Sequence, residues 1–241
     1  MSGGGAPPRA RPRILAIIPA YQAERTLAAV VAATTPIVPD VLVIDDGSTD
    51  GTSEIAKQSG AALLRLPRHR GKGAALKAGF ARALRKERDA VVTLDADGQH
   101  DPREIAKLLD CWGRTGAALV IGSRAHLVDG MGRGRRFGNR FARRAVSYFS
   151  GHPVEDPQSG FRLYDANLLR TLPLRGQRYE LESEVIVRAA RAGFGVVSTP
   201  VRLAQVDGLA TSHFRPWRDT ARICVAVLGA RYLRPRGPAG D

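Results

Sequence analysis

Strand-like and helix-like segments alternate along the first half of the chain, and this alternation restricts the fold more than any other feature. Apolar runs at Ile14–Pro19, Val41–Ile44 and Ala90–Leu94 each end in a polar turn, and a segment with helical periodicity follows each turn. Consecutive strand–helix–strand units build a parallel sheet with right-handed crossovers. The sequence therefore predicts an α/β fold with a mostly parallel sheet and helices on both faces.

The same pattern predicts a single domain over residues 13–233, with a front half at about 13–124 and a back half at about 125–233. Segments 1–12 and 234–241 are rich in Gly, Pro and Arg and are predicted to be disordered tails. After Met131 the alternation becomes irregular. The remaining predicted elements are strands at Ala62–Leu66, Ala118–Ile121 and Val196–Leu203, a loop at Asp156–Gly160, and helices at Ala23–Ala33, Thr52–Ser59, Gly73–Lys86, Pro102–Trp112, Phe137–Phe149, Leu181–Ala192 and Asp219–Tyr232.

Two carboxylates, Asp95 and Asp97, directly follow the apolar run Ala90–Leu94, and Pro102 then marks a helix start. Carboxylates at the carboxyl end of a parallel strand face the crevice in which open α/β sheets bind ligands. Their hard oxygen atoms suit Mg²⁺ or Mn²⁺, which needs only one or two protein carboxylates when substrate phosphates supply further ligands. The spacing predicts a metal site, and a solvated turn is the alternative.

Polar residues also follow three other predicted strands, as Pro19-Ala20-Tyr21, Asp45-Asp46-Gly47-Ser48 and Ser123-Arg124. These strand ends are expected to meet at one edge of the sheet and to line one crevice. Asp45 could accept hydrogen bonds from a base or a ribose there, whereas turn and capping chemistry accounts for part of Asp46–Thr49.

The turn Gly71-Lys72-Gly73 lacks the spacing of a Walker loop. It could still present backbone N–H groups and one ammonium to an anion at a helix start. An ordinary first helical turn is the alternative.

The formal net charge of +14 predicts an anionic partner. The sequence has no zinc-finger spacing and no aromatic RNA-reading strand, which argues against specific nucleic-acid recognition. Its two cysteines, Cys111 and Cys224, fit a reducing cytosol. No segment reads as a membrane-spanning helix or a signal peptide, so we expect a cytoplasmic protein.

The order of the motifs resembles that of family 2 glycosyltransferases of the GT-A fold, and is most similar to the dolichyl- and polyprenyl-phosphate mannosyl- and glucosyltransferases. The resemblance covers about Arg13 to Thr220. It implies a Rossmann-like sheet, a GDP- or UDP-linked sugar donor, Mg²⁺ or Mn²⁺, and inversion at the anomeric carbon. The motifs that carry it are Ile-Pro-Ala-Tyr, Val-Ile-Asp-Asp-Gly-Ser-Thr-Asp, Gly-Lys-Gly-Ala-Ala-Leu, Leu-Asp-Ala-Asp-Gly-Gln-His, Gly-Ser-Arg and Asp-Pro-Gln-Ser-Gly-Phe-Arg.

The resemblance also implies roles for individual residues. Asp97, Arg124 and Glu182 are the candidate catalytic residues. The metal would be held by Asp95, Asp97, Gln99 and, late in the chain, His213. The acceptor would meet Arg136, Arg140, Ser159 and Gly160. The donor would be bound by Pro19, Ala20, Tyr21, Glu24, Asp45, Asp46, Lys72, Asp95, Ala96, Arg124, Arg215 and Arg218.

The nature of the acceptor decides whether a general base is needed. A lipid phosphate is already ionised at pH 7, whereas a hydroxyl acceptor requires a base within hydrogen-bond reach. Relatives with hydroxyl acceptors carry their acidic base in the region of Glu180, Glu182 and Glu184. On a helix Glu180 and Glu184 share a face and Glu182 points elsewhere, so the three cannot act together. A helix start stabilised by its dipole is the alternative.

Arginines alternate with aromatic residues in the predicted helix Phe137–Phe149, which is a pattern of helices that lie on anionic membranes. A solvated basic face is the alternative. We therefore expect a peripheral enzyme at the inner face of the membrane that transfers a hexose to polyprenyl phosphate. A separate membrane subunit is a possible partner. The rivals are a family 2 enzyme with a hydroxyl acceptor and a non-catalytic nucleic-acid-binding protein. The Gln-x-x-Arg-Trp motif of processive polysaccharide synthases is absent, which argues against a polymerising enzyme.

Overall fold

The computed structural model describes residues 12–125 and 133–204 together with residue 229, and for residues 133–139 and 141 it describes the backbone alone. Within this part the strands are β1 (Ile14–Ala20), β2 (Val41–Asp45), β3 (Ala62–Arg65), β4 (Ala90–Thr93), β5 (Leu119–Ser123), β6 (Arg162–Asp165) and β7 (Val196–Pro200). They form a seven-stranded sheet with the order β3-β2-β1-β4-β6-β5-β7. Every neighbouring pair is parallel except the two that contain β6. The predicted mostly parallel α/β fold is confirmed.

The helices cover the sheet on two sides. The helices of the described part are α1 (Leu27–Thr34), α2 (Thr52–Gln58), α3 (Lys72–Arg85), α4 (Ile105–Thr115), α5 (Arg133–Ser150), α6 (Ala166–Thr171) and α7 (Glu180–Arg191). A short 3₁₀ turn, Pro102–Glu104, leads into α4.

The central strand β1 shows why its sequence is a continuous apolar run. Leu15 and Ile17 pack into a hydrophobic cluster with α3, α6 and α7. Ala16 and Ile18 face the opposite cluster, with α1 and α4. Because successive side chains of a strand point to opposite faces, a strand with helices on both sides needs apolar residues at every position.

The sequence did not indicate β6 or α6, and both follow the predicted loop Asp156–Gly160. The strand β6 is inserted between β4 and β5 and runs antiparallel to both. It carries Arg162 at a fully buried position, where an arginine is unusual. The antiparallel direction brings the residues before β6 to the edge of the sheet at which the parallel strands end.

Several predicted boundaries were wrong, and one of them is the start of the helix predicted at Phe137–Phe149, which begins at Arg133. The predicted helix from Ala23 begins at Leu27, because the N–H group of Ala23 donates to Thr52 Oγ1 at 2.8 Å and joins a loop. The predicted strand Val196–Leu203 ends at Pro200. Leu203 lies beyond it and forms an isolated bridge with His100.

Some predictions fall outside the described residues. These concern the tails at 1–11 and 234–241, the terminal helix Asp219–Tyr232, and the side chains of His213, Arg215, Arg218 and Arg136. Across the described segments, no helix combines the length and apolar character needed to cross a bilayer.

Candidate active site

The first carboxylate after β4, Asp95, belongs to a partly buried charge cluster centred on Lys72. Its Oδ1 atom is 2.5 Å from Lys72 Nζ, and Lys72 Nζ is 2.9 Å from Oε1 of Glu182. The three residues come from the end of β4 and the first turns of α3 and α7. We name Lys72, Asp95 and Glu182 the central triad.

The charges of the central triad stabilise one another. Burial opposes the charge on Lys72, but the two carboxylates outweigh it and raise the pKa of the ammonium above its ordinary value. Burial likewise opposes the ionisation of Asp95, but the charge of Lys72 outweighs it and lowers the pKa of this carboxyl to about 2. Lys72 and Asp95 are therefore both charged at neutral pH.

Gly160, in the loop before β6, closes over the central triad. A Cβ atom at this position would lie 2.5 Å from Lys72 Nζ and 2.8 Å from Asp95 Oδ2. The loop is held there because Thr93 Oγ1 donates to the Gly160 carbonyl at 2.7 Å. A side chain at residue 160 would therefore have to displace the ends of the Lys72 and Asp95 side chains.

The second carboxylate, Asp97, faces a different environment. Its Oδ1 atom accepts from the Gln99 N–H at 3.0 Å, and burial together with the nearby Asp95 charge raises its pKa. No group of three or more His, Cys, Asp or Glu side chains suited to a metal occurs among the described residues. Two carboxylates and the Gln99 amide still supply hard oxygen atoms of the kind that Mg²⁺ and Mn²⁺ prefer. These residues fit a cation whose other ligands come from substrate.

A buried histidine, His100, binds the backbone of Asp95, and the sequence analysis did not single it out. His100 Nδ1 accepts from the Asp95 N–H at 3.1 Å, and its ring stacks on Phe161 with centroids 5.2 Å apart. Burial lowers the pKa of His100 to about 4. The ring is therefore neutral at pH 7, and with Nδ1 accepting it carries its proton on Nε2.

Arg124, expected to face phosphate, lies close to the central triad but is paired. Its Nε atom donates to Asp156 Oδ2 at 2.8 Å, and its N–H donates to the same oxygen at 3.2 Å. Burial opposes its charge, but Asp156, and more weakly Asp95 and Glu182, raise its pKa. The sequence analysis placed Asp156 in a loop but did not identify it as the partner of Arg124.

Arg162 holds the walls of the site together from inside the core. Its guanidinium donates to the carbonyl oxygens of Pro157 at 2.7 Å, Ser159 at 2.6 Å and Glu182 at 2.6 Å. These bonds join the loop before β6 to the start of α7. The burial of a charged arginine at this position is explained by the three carbonyl oxygens that its guanidinium satisfies.

The three glutamates near the start of α7 separate as helical geometry requires. Glu182 joins the central triad. Glu184 accepts from the Gly176 N–H at 2.7 Å and from Arg188 Nε at 2.7 Å. Glu180 Oε1 accepts from the Gln177 N–H at 3.0 Å. Of the three, Glu182 pairs with Lys72, whereas the other two accept from the backbone that precedes the helix.

Comparison with known proteins places this geometry in a family. The model described as "Glycosyl transferase family 2" matches residues 15–172. The chain belongs to this family. It is therefore a glycosyltransferase, which favours the enzyme over the non-catalytic alternative considered above.

Relatives along most of the chain carry more specific names. The chain is 32% identical over 219 residues to the polyprenol monophosphomannose synthase of Mycolicibacterium smegmatis, covering 84% of this chain and 82% of that protein. It is 33% identical over 211 residues to the undecaprenyl-phosphate mannosyltransferase of Micrococcus luteus, covering 80% and 84%.

A solved structure shows the same fold. Glucosyl-3-phosphoglycerate synthase of Mycobacterium tuberculosis, in complex with Mn²⁺, UDP and phosphoglyceric acid, matches with a TM-score of 0.71 and 24% sequence identity. The match covers 95% of this chain and 82% of that one. The predicted GT-A fold of the glycosyltransferase is confirmed.

The two aspartates at the end of β2 accept hydrogen bonds from neighbouring loops of the protein. Asp45 is fully buried and accepts from the Ser48 N–H at 2.8 Å and from the Ser53 hydroxyl. Asp46 accepts from the N–H groups of Arg70 at 2.8 Å and Gly71 at 2.7 Å. The glycosyltransferase thus uses both side chains to order the loops around its crevice, and a contact of either with the donor stays a prediction.

The other predicted donor-site residues line the same edge. Tyr21 packs on His69 with ring centroids 4.0 Å apart, and the sequence did not single out His69. Glu24 is exposed, and its Oε2 atom accepts from the Gly51 N–H at 2.9 Å. Pro19 and Ala20 pair with the end of β2, and the Ala96 carbonyl accepts from Thr26 Oγ1 at 2.6 Å.

The predicted acceptor residues divide into two groups. Ser159 is fully buried beside Gly160, and its Oγ accepts from the Phe161 N–H at 3.3 Å. Arg140 lies on α5 and is exposed. The loop therefore reaches the central triad, whereas the described basic residues of α5 face outward.

Proposed function

We propose that the protein transfers a hexose, with inversion, from a GDP- or UDP-linked sugar to a polyprenyl phosphate such as dolichyl or undecaprenyl phosphate, in a reaction that depends on Mg²⁺ or Mn²⁺. The observation that carries this proposal is the engagement of Glu182. Its Oε1 atom already accepts from the Lys72 ammonium at 2.9 Å, so one of the two oxygen atoms of this candidate base is engaged in the arrangement described.

A phosphate acceptor needs no such base. Its oxygen is ionised at pH 7 and can attack the anomeric carbon directly, whereas a hydroxyl must lose a proton in the transition state. Of the other acidic residues of this helix start, Glu184 is held by the Gly176 N–H group and Arg188, and Glu180 accepts from the Gln177 N–H group through Oε1, while its Oε2 has no partner among the described residues. The two relatives named for transfer to polyprenyl and undecaprenyl phosphate support the same class of acceptor.

Asp95, Asp97 and Gln99 are the described residues that would hold the divalent cation. When bound, the cation would supply Lewis-acid charge for the departing nucleoside diphosphate. His100 keeps the Asp95 backbone in place, because the N–H group of Asp95 donates to His100 Nδ1. The mycobacterial synthase of the same fold was solved with Mn²⁺ and UDP, which supports this assignment.

Two cationic side chains lie near the position expected for the diphosphate. Lys72 reaches Asp95, and the charge of Arg124 also acts on Asp95. Both can offset negative charge that develops on the leaving group, because they lie in a site largely shielded from water. Tyr21, His69 and the loop after β2 would form the nucleoside end of the donor site.

The test is a panel of radiolabelled nucleotide sugars with Mn²⁺ or Mg²⁺ and a short polyprenyl phosphate. We expect label to enter the organic phase, and chelation by EDTA to abolish the transfer. The donor that labels the lipid identifies the sugar and the base. Donor hydrolysis without a lipid product would reject the phosphate acceptor in favour of a hydroxyl acceptor.

We further propose that the enzyme works at the inner face of the membrane through helix α5. Arg140, Arg143 and Arg144 are exposed on this helix, and Tyr148 next to them is 71% exposed. Three arginines at about 1 kcal/mol each would provide about 3 kcal/mol of attraction to anionic lipid, enough for reversible and salt-sensitive binding. A separate membrane subunit could strengthen this attachment.

Sedimentation with anionic vesicles tests the role of α5. Replacing Arg140, Arg143 and Arg144 with Gln should weaken partitioning by about 100-fold. A matched control replaces Arg82, Arg85 and Lys86 on exposed positions of α3 and its end, where the same loss of charge should have a much smaller effect. Equal weakening in both variants would attribute binding to net charge and remove α5 from the proposal.

A further inference from the structure

Lys72 occupies a position between two carboxylates of the site at which a cation is expected. Its Nζ atom is 2.5 Å from Asp95 Oδ1 and 2.9 Å from Glu182 Oε1. The side chain is 15% exposed. The ammonium thus neutralises Asp95, one of the two carboxylates to which the metal is assigned.

The backbone of Lys72 is fixed at this place by close packing. Gly71 has φ +100°, and a Cβ there would meet the Gln177 carbonyl at 2.9 Å. A Cβ on Gly73 would meet the Arg178 carbonyl at 2.7 Å. The N–H group of Ala74 donates to the Gln177 carbonyl at 2.8 Å. The start of α3 is therefore locked against the segment before α7, and Lys72 extends from a rigid base.

The loop before β6 also leaves space for the end of the Lys72 side chain. A Cβ on Gly160 would lie 2.5 Å from Lys72 Nζ, so the absence of a side chain at residue 160 makes room for the ammonium. Lys77, one turn further along α3, has a different destination, since its Nζ donates to the Arg175 carbonyl at 3.0 Å. The contact with the carboxylates belongs to Lys72 and is not a general property of lysines on this helix.

A divalent cation on Asp95 would have to share this carboxylate with the ammonium. Two positive charges a few ångströms apart in a largely buried site repel strongly. The arrival of a nucleoside diphosphate changes this balance, because its phosphate oxygens can accept from Lys72 and also complete the coordination of the metal.

We infer that Lys72 is an internal counter-cation: it holds the place of the metal on Asp95 in the free enzyme, so that the divalent cation binds tightly only together with a nucleoside diphosphate. The inference rests on the proposed metal-dependent function and goes beyond it, because it specifies the interdependence of the two ligands. Since coupling between two binding sites is reciprocal, the metal must also strengthen the binding of the nucleotide by the same factor.

The experiment measures Mn²⁺ binding to the full chain at pH 8, from the electron paramagnetic resonance signal of the free ion, with and without UDP or GDP. Wild-type protein should bind Mn²⁺ weakly alone and at least about tenfold more tightly with one of the nucleotides. Lys72→Gln removes the competing charge and should tighten the binding of Mn²⁺ alone by about tenfold. The enhancement by the nucleotide should shrink in this variant.

Lys77→Gln is the matched control, with the same loss of charge on the same helix, and its Mn²⁺ binding should equal that of the wild type. Thermal melts show that each variant is folded.

The inference is overturned if Lys72→Gln binds Mn²⁺ alone no more tightly than wild type, or if wild type binds it equally well without nucleotide. Absence of Mn²⁺ binding under all conditions would overturn both this inference and the proposed metal dependence. Failure of polyprenyl phosphate as an acceptor would leave the titration untouched, so the two proposals fail separately.

Discussion

Two aspartate pairs, Asp45–Asp46 after β2 and Asp95–Asp97 after β4, look alike in the sequence and behave differently in the fold. The first pair is almost completely buried, and its oxygen atoms accept from backbone N–H groups and a hydroxyl of the neighbouring loops. Basic side chains add to this set from the rim, with His69 Nδ1 2.9 Å from Asp46 Oδ2 and Arg65 Nε 3.8 Å from Asp45 Oδ2. The second pair meets an ammonium on one carboxylate and carries a raised pKa on the other.

The difference shows how surroundings divide one sequence signal into two roles. A carboxylate that accepts several N–H groups orders its loops and is costly to remove. A carboxylate whose charge is disfavoured by its neighbours gains from a cation, and such unbalanced charges concentrate at functional sites. We therefore expect Asp46 to contribute mainly to stability and Asp97 mainly to activity, and substitutions can separate the two contributions.

Asp97→Asn should have the largest effect on activity. The variant loses a charged oxygen ligand for the cation, and we expect the rate of transfer to fall at least about 100-fold. The free energy of unfolding should stay within about 0.5 kcal/mol of wild type, because burial and the nearby Asp95 both disfavour the charge that is lost. Initial rates and urea unfolding measure the two quantities.

Asp110→Asn is the control for this substitution. Asp110 is exposed on α4 and pairs with Arg114, so its replacement should change neither quantity appreciably. Undiminished transfer by Asp97→Asn would refute the metal assignment.

Asp46→Asn should reverse the pattern. Both carboxylate oxygens accept backbone N–H groups, from Arg70 and Gly71, and the amide NH₂ would face one of these donors. We expect the free energy of unfolding to fall by about 2 kcal/mol, as measured by urea titration. Unchanged stability with a raised KM for the donor would instead make Asp46 a donor-binding residue.

Gly160→Ala tests the packing over the central triad. The new methyl group would lie 2.5 Å from Lys72 Nζ and 2.8 Å from Asp95 Oδ2, and should displace both. We expect about a tenfold loss of kcat/KM, equivalent to about 1.4 kcal/mol. Gly113→Ala on α4 is the control, because nothing lies within 4 Å of its Cβ position. Equal rates for the two variants would mean that the triad tolerates displacement.

Ser53→Ala should have the smallest effect. The Ser53 hydroxyl donates to Asp45, and its removal leaves this buried carboxylate with one bond fewer. We expect a loss of about 1 kcal/mol in the free energy of unfolding. Ser59→Ala, which removes a hydroxyl bonded to the Ile55 carbonyl at the end of α2, provides the comparison and should cost less. A drop in transfer rate without loss of stability would place Asp45 in direct contact with the donor.

Much of the fold could be predicted because its signals are local. The strands Ile14–Ala20, Val41–Asp45 and Ala90–Thr93 are apolar runs buried on both faces, and polar turns mark their ends. The strand β6 could not be predicted, since its buried Arg162 contradicts the pattern of a core strand. This burial depends on three carbonyl oxygens, two from the loop directly before the strand and one from Glu182 at the start of α7.

By itself the sequence determined the α/β class, the order of the motifs and the residue types at the ends of the strands, because periodicity and turn chemistry depend on neighbours along the chain. The contacts among Lys72, Asp95 and Glu182, and the partners of Asp45 and Asp46, were decided only by the tertiary structure. The antiparallel insertion of β6 brings Gly160 to the central triad. Whether a carboxylate meets an N–H group or a cation depends on which segments the fold brings beside it, and residues far apart in the chain supply those partners.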